Sequence, residues 1–158
     1  MGQLVLAAKV THVPSLMLSE RPDSPLRAAR EPAVRSLREL GRRARERGVT
    51  SFVVFDTHWL SNFGYHINAN ERHCGAFTSH EAPQMIQDLH YDLPGDTGLA
   101  KAIASRALDA DLNVTAHEVA SLGLEYGTIV PPKHSRARPA AQATRHILKS
   151  PASNTSGL

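Results

Sequence analysis

Apolar positions open the chain as Leu4-Val5-Leu6-Ala7-Ala8, are broken by Lys9 and resume at Val10, a run of strand length. The run ends in Thr11-His12-Val13-Pro14-Ser15, where Pro14 marks a turn. Residues 15–30 are rich in Ser, Pro and Asp and continue that loop. A helix follows. Pro32 suits its first turn, Ala33, Val34, Leu37, Leu40, Gly41 and Ala44 recur at helical spacing, and Gly48 can stop it. The other face carries Arg35, Arg38, Arg42, Arg45 and Arg47 among Glu31, Glu39 and Glu46. Four-residue pairs such as Glu31/Arg35 and Glu39/Arg43 predict a solvated surface there. Ser51-Phe52-Val53-Val54-Phe55 is nearly all β-branched or aromatic, as a parallel strand covered on both faces should be. Strand, helix and strand then make a βαβ unit with a right-handed crossover. Further on, residues 65–69 alternate weakly, 81–89 suggest a short helix, and 97–111 suggest a longer one with Leu99, Ile103, Ala107 and Leu108 on one face. Asp96 or Thr97 would cap that helix, and residues 113–119 predict another strand. The fold class expected is α/β.

The 158 residues suffice for one ordinary domain, with 41% hydrophobic and 21% charged residues, a globular composition. No run approaches the roughly 18 apolar residues of a membrane span, and the opening apolar stretch is too short for a signal peptide. A single cysteine, Cys74, cannot form an internal disulfide, which makes a cytoplasmic setting the expectation and a packed or surface thiol its reading. The formal net charge of +3 would invite a nucleic-acid reading were it spread along the chain. Through Glu125, however, 13 basic residues face 15 acidic ones, while the remainder holds five basic residues and no acid. With no aromatic-basic interleaving and no zinc-finger spacing, neither a nucleic-acid nor a membrane partner is expected. After Val130 the sequence turns to Pro131-Pro132 and loses apolar periodicity, so residues 1–131 are expected to form the domain and 132–158 a basic, disordered or non-native tail.

Candidate chemistry sits at strand ends. In open α/β sheets ligands bind beyond the carboxyl ends of the strands, and His12 and His58 each lie just past a predicted strand of one βαβ unit. Two imidazoles and a carboxylate suit Fe(II), Mn(II) or Zn(II). A pair of hydrogen-bonded turn histidines would look the same in sequence. Asp56 could face such a metal, orient a ligand from behind, or cap the loop, and Trp59 could wall the site or pack in the core. His66, His73 and His80, seven apart, lie on segments that no single helix aligns and read as surface histidines.

Three ordered segments carry a family resemblance: residues 6–15, Val54-Phe55-Asp56-Thr57-His58-Trp59-Leu60, and Leu124-Glu125-Tyr126-Gly127-Thr128-Ile129-Val130-Pro131. Together they resemble the N-terminal half of class III extradiol ring-cleavage dioxygenases, within the superfamily that includes the protocatechuate 4,5-dioxygenase beta subunit. The resemblance implies a partial three-layer α/β sandwich that lacks its C-terminal half. It also implies a non-haem Fe(II) enzyme, with Mn(II) as a substitute, of aromatic-compound catabolism. Such an enzyme opens a 3,4-dihydroxyphenylacetate-like catechol with O2 to a muconic semialdehyde, and the full-length family forms homo-oligomers. His12 and His58 would be metal ligands. The third ligand, a glutamate, and the main acid/base histidine belong to the absent half, so a truncated chain of weak or no activity is expected.

The family's third motif often reads Asp-His-Gly. Here it is Glu125-Tyr126-Gly127, and the histidine's role does not transfer. Tyr126 could donate a hydrogen bond to oxygen or substrate, but with an ordinary pKa of about 10 it is a poor base. His117 is the nearest imidazole and the other candidate catalytic group, or else a polar strand-end residue. A two-histidine metal module without catalysis, and a zinc-dependent hydrolase using His12, His58 and Asp56, stay open as alternatives.

Overall fold

The computed structural model describes residues 2–58 and 63–135. The chain starts extended, and Pro14 at the first helical position opens a 3-10 helix, Pro14–Glu20, whose first backbone bond runs from Leu16 N–H to Val13 O at 3.0 Å. Helix α1, Arg27–Glu46, follows, then strands β1, Tyr65–Asn68, β2, Arg72–Phe77, and β3, Leu89–Pro94. Helix α2, Thr97–Leu108, strand β4, Val114–His117, and helix α3, Tyr126–Ser135, complete the described elements. β1 and β4 pair in parallel, with Ile67 opposite Ala116 and Asn68 opposite His117, while β2 and β3 form an antiparallel hairpin. The α/β class is borne out. Among the described residues no helix is long and apolar enough to cross a membrane.

The strands expected at residues 4–10 and 51–55 are not ladder strands. Both stretches run without regular structure, and Leu4 and Phe55 are 84% and 73% exposed. A parallel strand apolar on both faces needs neighbours on both edges, and no described segment pairs with either. The parallel pair expected around α1 is instead made by β1 and β4, on the elements predicted at 65–69 and 113–119. A third correction concerns residues 81–89. Pro83 sits in a turn there, the Ser79 hydroxyl accepts from Ala82 N–H, and Asp88 takes a positive φ of 48° before β3 begins. That closed loop joins β2 to β3, neither of which the apolar pattern predicted.

Helix α1 buries Val34, Leu37, Gly41 and Ala44, the face predicted, though it starts a turn early and Pro32 lies inside it. Gly48 follows at φ 63°, the left-handed geometry that ends helices. On the solvated face Glu39 holds Arg42 and Arg43, while Glu31 pairs with Arg38 rather than Arg35. Against the apolar face lies the main core: Leu16, Val34, Leu37, Ile86, Leu89, Leu124, Tyr126, Ile129 and Val130. Gly41 lets α3 approach so closely that a Cβ there would lie 2.0 Å from Ser135 O. A smaller cluster joins Ile67 of β1 to Ala100 and Ala104 of α2. α2 is capped by Asp96, whose carboxylate accepts from Leu99 N–H at 2.8 Å, as predicted. Its buried face is turned toward Ala100 and Ala104, leaving Leu108 exposed, because the small β1/β4 pair admits alanines at close range. α3 runs through Pro131 and Pro132 and buries His134 and Ser135, so its last turn crosses the boundary expected at residue 131. The rest of the expected tail, residues 136–158, and Trp59 lie outside the described residues.

Candidate metal centre

Three distant pieces of chain meet at one point. His12 ends the extended N-terminal stretch, just before the 3-10 helix turns the chain away, and is half-buried. Asp56 follows the exposed Phe55 and is 4% exposed. Its Oδ1 accepts the backbone N–H of His58 at 3.1 Å, a local turn that Asp favours two residues ahead of its partner, and accepts Nδ1–H of the same imidazole. Its Oδ2 accepts the Thr128 hydroxyl at 2.8 Å across 72 residues of sequence. Thr128 lies in the first turn of α3 and is fully buried. A carboxylate beside a helix N-terminus is also favoured by the helix dipole.

Rings complete the arrangement. The His12 and His58 centroids are 4.9 Å apart and nearly perpendicular, and the Tyr126 ring lies 4.3 Å from His58 and 5.8 Å from His12. Phe77 of β2 backs Tyr126 at 6.0 Å. Burial, reinforced by Glu81, Asp56 and Glu125, pushes the Tyr126 phenol above its usual pKa. Tyr126 therefore stays protonated at neutral pH, a donor rather than a base. Burial also raises the Glu125 carboxyl, partly offset by His58. Gly127 makes this packing possible: a Cβ there would lie 2.6 Å from Asp56 Oδ2 and 2.8 Å from His58 Nδ1.

His12, His58, Asp56 and Tyr126 are thus brought together. His117 is placed elsewhere, at the end of β4, with its ring stacked on His66 of β1 at 5.1 Å. His66 Nε2–H donates to Phe63 O at 3.1 Å, which leaves its Nδ1 to accept from His117 Nε2–H at 2.8 Å. Burial, then His66, lowers the His117 pKa. His73, expected at the surface, is buried in β2 with Nδ1 lacking a hydrogen-bond partner among the described residues, while His80 is exposed and His66 half-buried. Cys74 is an exposed thiol. Thr128 and Gly127 stood inside the third motif, yet nothing in composition or spacing marks a threonine as the partner of an aspartate 72 residues earlier. Glu81 was hidden in a segment read as a helix.

A metal fits this donor set in part. With Nδ1–H committed to Asp56, His58 offers Nε2 as a lone pair, the usual construction behind a metal-ligating histidine, and His12 stands beside it. Asp56 faces His58 and Thr128, which suits it to orienting a ligand rather than being one. Among the described residues no group of three or more His, Cys, Asp or Glu side chains is placed to hold an ion.

Residues 6–133 match the model of the family described as the catalytic LigB subunit of aromatic ring-opening dioxygenase. The chain is 45% identical over 134 residues, 85% of its length, to 3,4-dihydroxyphenylacetate 2,3-dioxygenase of Escherichia coli, and spans 48% of that protein. The match contains all three segments that build the cluster, His12, Asp56 to His58, and Tyr126 to Thr128, and on that evidence the chain belongs to the LigB family of catalytic subunits of aromatic ring-opening dioxygenases.

Proposed function

We propose that this chain supplies the two-histidine part of an extradiol dioxygenase site, which opens a 3,4-dihydroxyphenylacetate-like catechol with O2 to a muconic semialdehyde. The observation that supports the reading best is the convergence of His12 and His58, with Asp56 on the rear nitrogen of His58. The divalent ion is read as Fe(II), with Mn(II) as a substitute, since imidazoles with a carboxylate and open positions suit non-haem iron oxygenases. When bound, it would supply open positions for catechol and O2 and a path for electrons between them. His12 and His58 would hold it. Tyr126 walls the ligand pair with its ring and keeps its proton, so the base that activates a catechol hydroxyl is a different group. His117, engaged with His66, is retained only as a candidate acid/base for a different arrangement of the chain.

The described residues offer two imidazoles and no third donor, and the reading assigns the third ligand, a glutamate, to sequence outside them. Weak turnover by this polypeptide alone is the expected result, with homo-oligomers expected of the complete enzyme. Anaerobic loading with Fe(II), followed by an assay for the yellow semialdehyde from 3,4-dihydroxyphenylacetate, tests it. Strong turnover would contradict the two-donor site. Metal uptake that survives both His12→Ala and His58→Ala would contradict the ligand assignment. A two-histidine metal module without catalysis is the second reading, favoured by the same donor count, and metal uptake without oxygen consumption would select it. The zinc-hydrolase alternative needs Asp56 as a ligand and loses support from its bonds to His58 and Thr128.

A further inference from the structure

We infer that His66 and His117 form a further cation site, two imidazoles on neighbouring strands that chelate a borderline divalent ion of the Zn(II) class. β1 and β4 place them. In the parallel register Thr115 lies opposite His66 and His117 opposite Asn68, so the two histidines are diagonal neighbours on one face of the pair. The other face carries Ile67 and Ala116, which cluster with Ala100 and Ala104 of α2. Ladder and helix together hold the backbone beneath the two rings, and donors built on strands are more precisely placed than donors on loops. The site shares no residue with the pair His12 and His58.

The two rings already present nitrogens to each other. His66 Nδ1 and His117 Nε2 are 2.8 Å apart, with ring centroids 5.1 Å apart and planes 19° from parallel. An imidazole nitrogen sits about 2.0–2.1 Å from Zn(II), so two neighbouring nitrogens on one ion are separated by about 2.9–3.4 Å. The observed gap falls just short of that span, and a small turn of each ring about its Cβ–Cγ bond, a soft torsion, opens it. His66 is also braced from behind. Its Nε2–H donates to the Phe63 carbonyl at 3.1 Å, a contact on the rear nitrogen of the kind that orients metal-bound imidazoles. Both rings are half-buried, so water can complete the shell of an ion from the open side. Glu118, the neighbouring carboxylate, is held by Lys101 of α2 at 2.6 Å. Among the described residues the site's protein donors are therefore the two nitrogens, a set that favours Zn(II), Ni(II) or Cu(II) over Mn(II) and Mg(II).

The test titrates Zn(II) chloride into the metal-free 158-residue chain and follows the ring nitrogen resonances of each histidine separately. His66 and His117 are expected to shift together with a shared midpoint, in the wild type and in the double variant His12→Ala and His58→Ala alike. His66→Gln, which keeps a polar side chain and removes the imidazole, should weaken the Zn(II) response of His117 by about tenfold or more, at least the loss that follows removal of an outer partner. Mg(II), which prefers oxygen ligands, should move neither ring. Zn(II) that shifts other histidines and leaves these two in place overturns the inference. So does a His117 response unchanged in His66→Gln, which would mean adventitious contacts at separate rings instead of one chelate. A shift that appears only while His12 and His58 are intact would return the ion to that pair and defeat the further site. Should His66→Gln fail to fold, His117→Gln read on the His66 ring makes the same comparison, and different midpoints for the two rings in the wild type would sink the chelate without any variant.

Discussion

Gly127 sits where one methyl group has no room. An alanine Cβ would lie within 3 Å of both Asp56 carboxylate oxygens and of His58 Nδ1, so the pair or the first turn of α3 must move. Gly127→Ala is therefore expected to weaken metal uptake by about tenfold or more while leaving the helix content of the chain intact. Isothermal titration with Co(II) beside far-UV circular dichroism separates the two effects, and unchanged uptake would show that the turn can yield. At this scale the sequence was most informative about the two histidines that the fold brings together. His12 and His58 were legible because each follows an apolar stretch and sits in a recognisable motif. Asp56 was legible as a possible orienting group because it lies two residues from His58. Thr128 was not, since a hydroxyl acquires its role only from the partner that folding brings to it, and that partner lies in a different segment. His73 was misplaced for a related reason: polar residues on β2 look exposed until the hairpin and its connection cover them.

Among the elements, α1 was the most legible because its apolar stripe alone defines a buried face over about three turns, and the observed Val34, Leu37, Gly41 and Ala44 follow it. Strands β2 and β3 were illegible for the converse reason. Arg72, His73, Cys74, Gly75 and Ala76 are poor strand residues, and what makes them a strand is the partner: Gly75 lies opposite Tyr91, whose hydroxyl would be 2.8 Å from any Cβ placed there. The helix expected at residues 81–89 failed because Pro83 and the Ser79 bond to Ala82 N–H favour a turn over a continued spiral. Close contact between α1 and α3 gives a prediction at this scale. In an isolated helix Gly41→Ala would stabilise by about 1 kcal/mol. Here the added Cβ strikes Ser135 O, and overpacking of this kind costs about 1–3 kcal/mol, so a net loss is expected. Urea denaturation decides the sign, and a higher midpoint for the variant would mean that α3 shifts without penalty.

For the whole molecule, pH dependence follows from two buried histidines. Burial lowers His73 from 6.5 to about 4, and burial likewise lowers His134, with Glu20 opposing and Lys133 and Arg38 adding to the effect. In the unfolded chain both imidazoles take up protons near pH 6.5, while the folded chain resists until lower pH. The unfolded state therefore binds more protons in that window, and stability falls as pH drops from about 6.5 toward 4, levelling below the folded pKa of His73. His73→Leu should flatten this slope in thermal melts recorded across the window, since it removes the proton site and a buried ring nitrogen with no partner among the described residues. An unchanged slope would assign the acid sensitivity to other groups. A second prediction concerns the extended stretches at residues 2–13 and 51–55, where Leu4, Val5, Val53 and Phe55 are exposed on backbone that no ladder among the described residues pairs. Concentration-dependent self-association is expected, and the double variant Leu4→Glu and Val53→Glu should suppress it in light scattering. Equal scattering from the wild type and the variant would place the sticky surface elsewhere.

The bond between Asp56 and Thr128 also has a consequence in time. Its two ends are 72 residues apart, and a ribosome adding roughly 5–20 residues per second needs several seconds to pass from one codon to the other. For nearly all of that interval His12 and His58 are already made, while the Thr128 hydroxyl that Asp56 accepts does not yet exist. A nascent chain therefore carries the local Asp56–His58 turn before the hydroxyl that joins it to the helix. The long-range bond that ties Asp56 to α3 therefore forms only when the first turn of that helix, the last described one to be synthesised, arrives and docks.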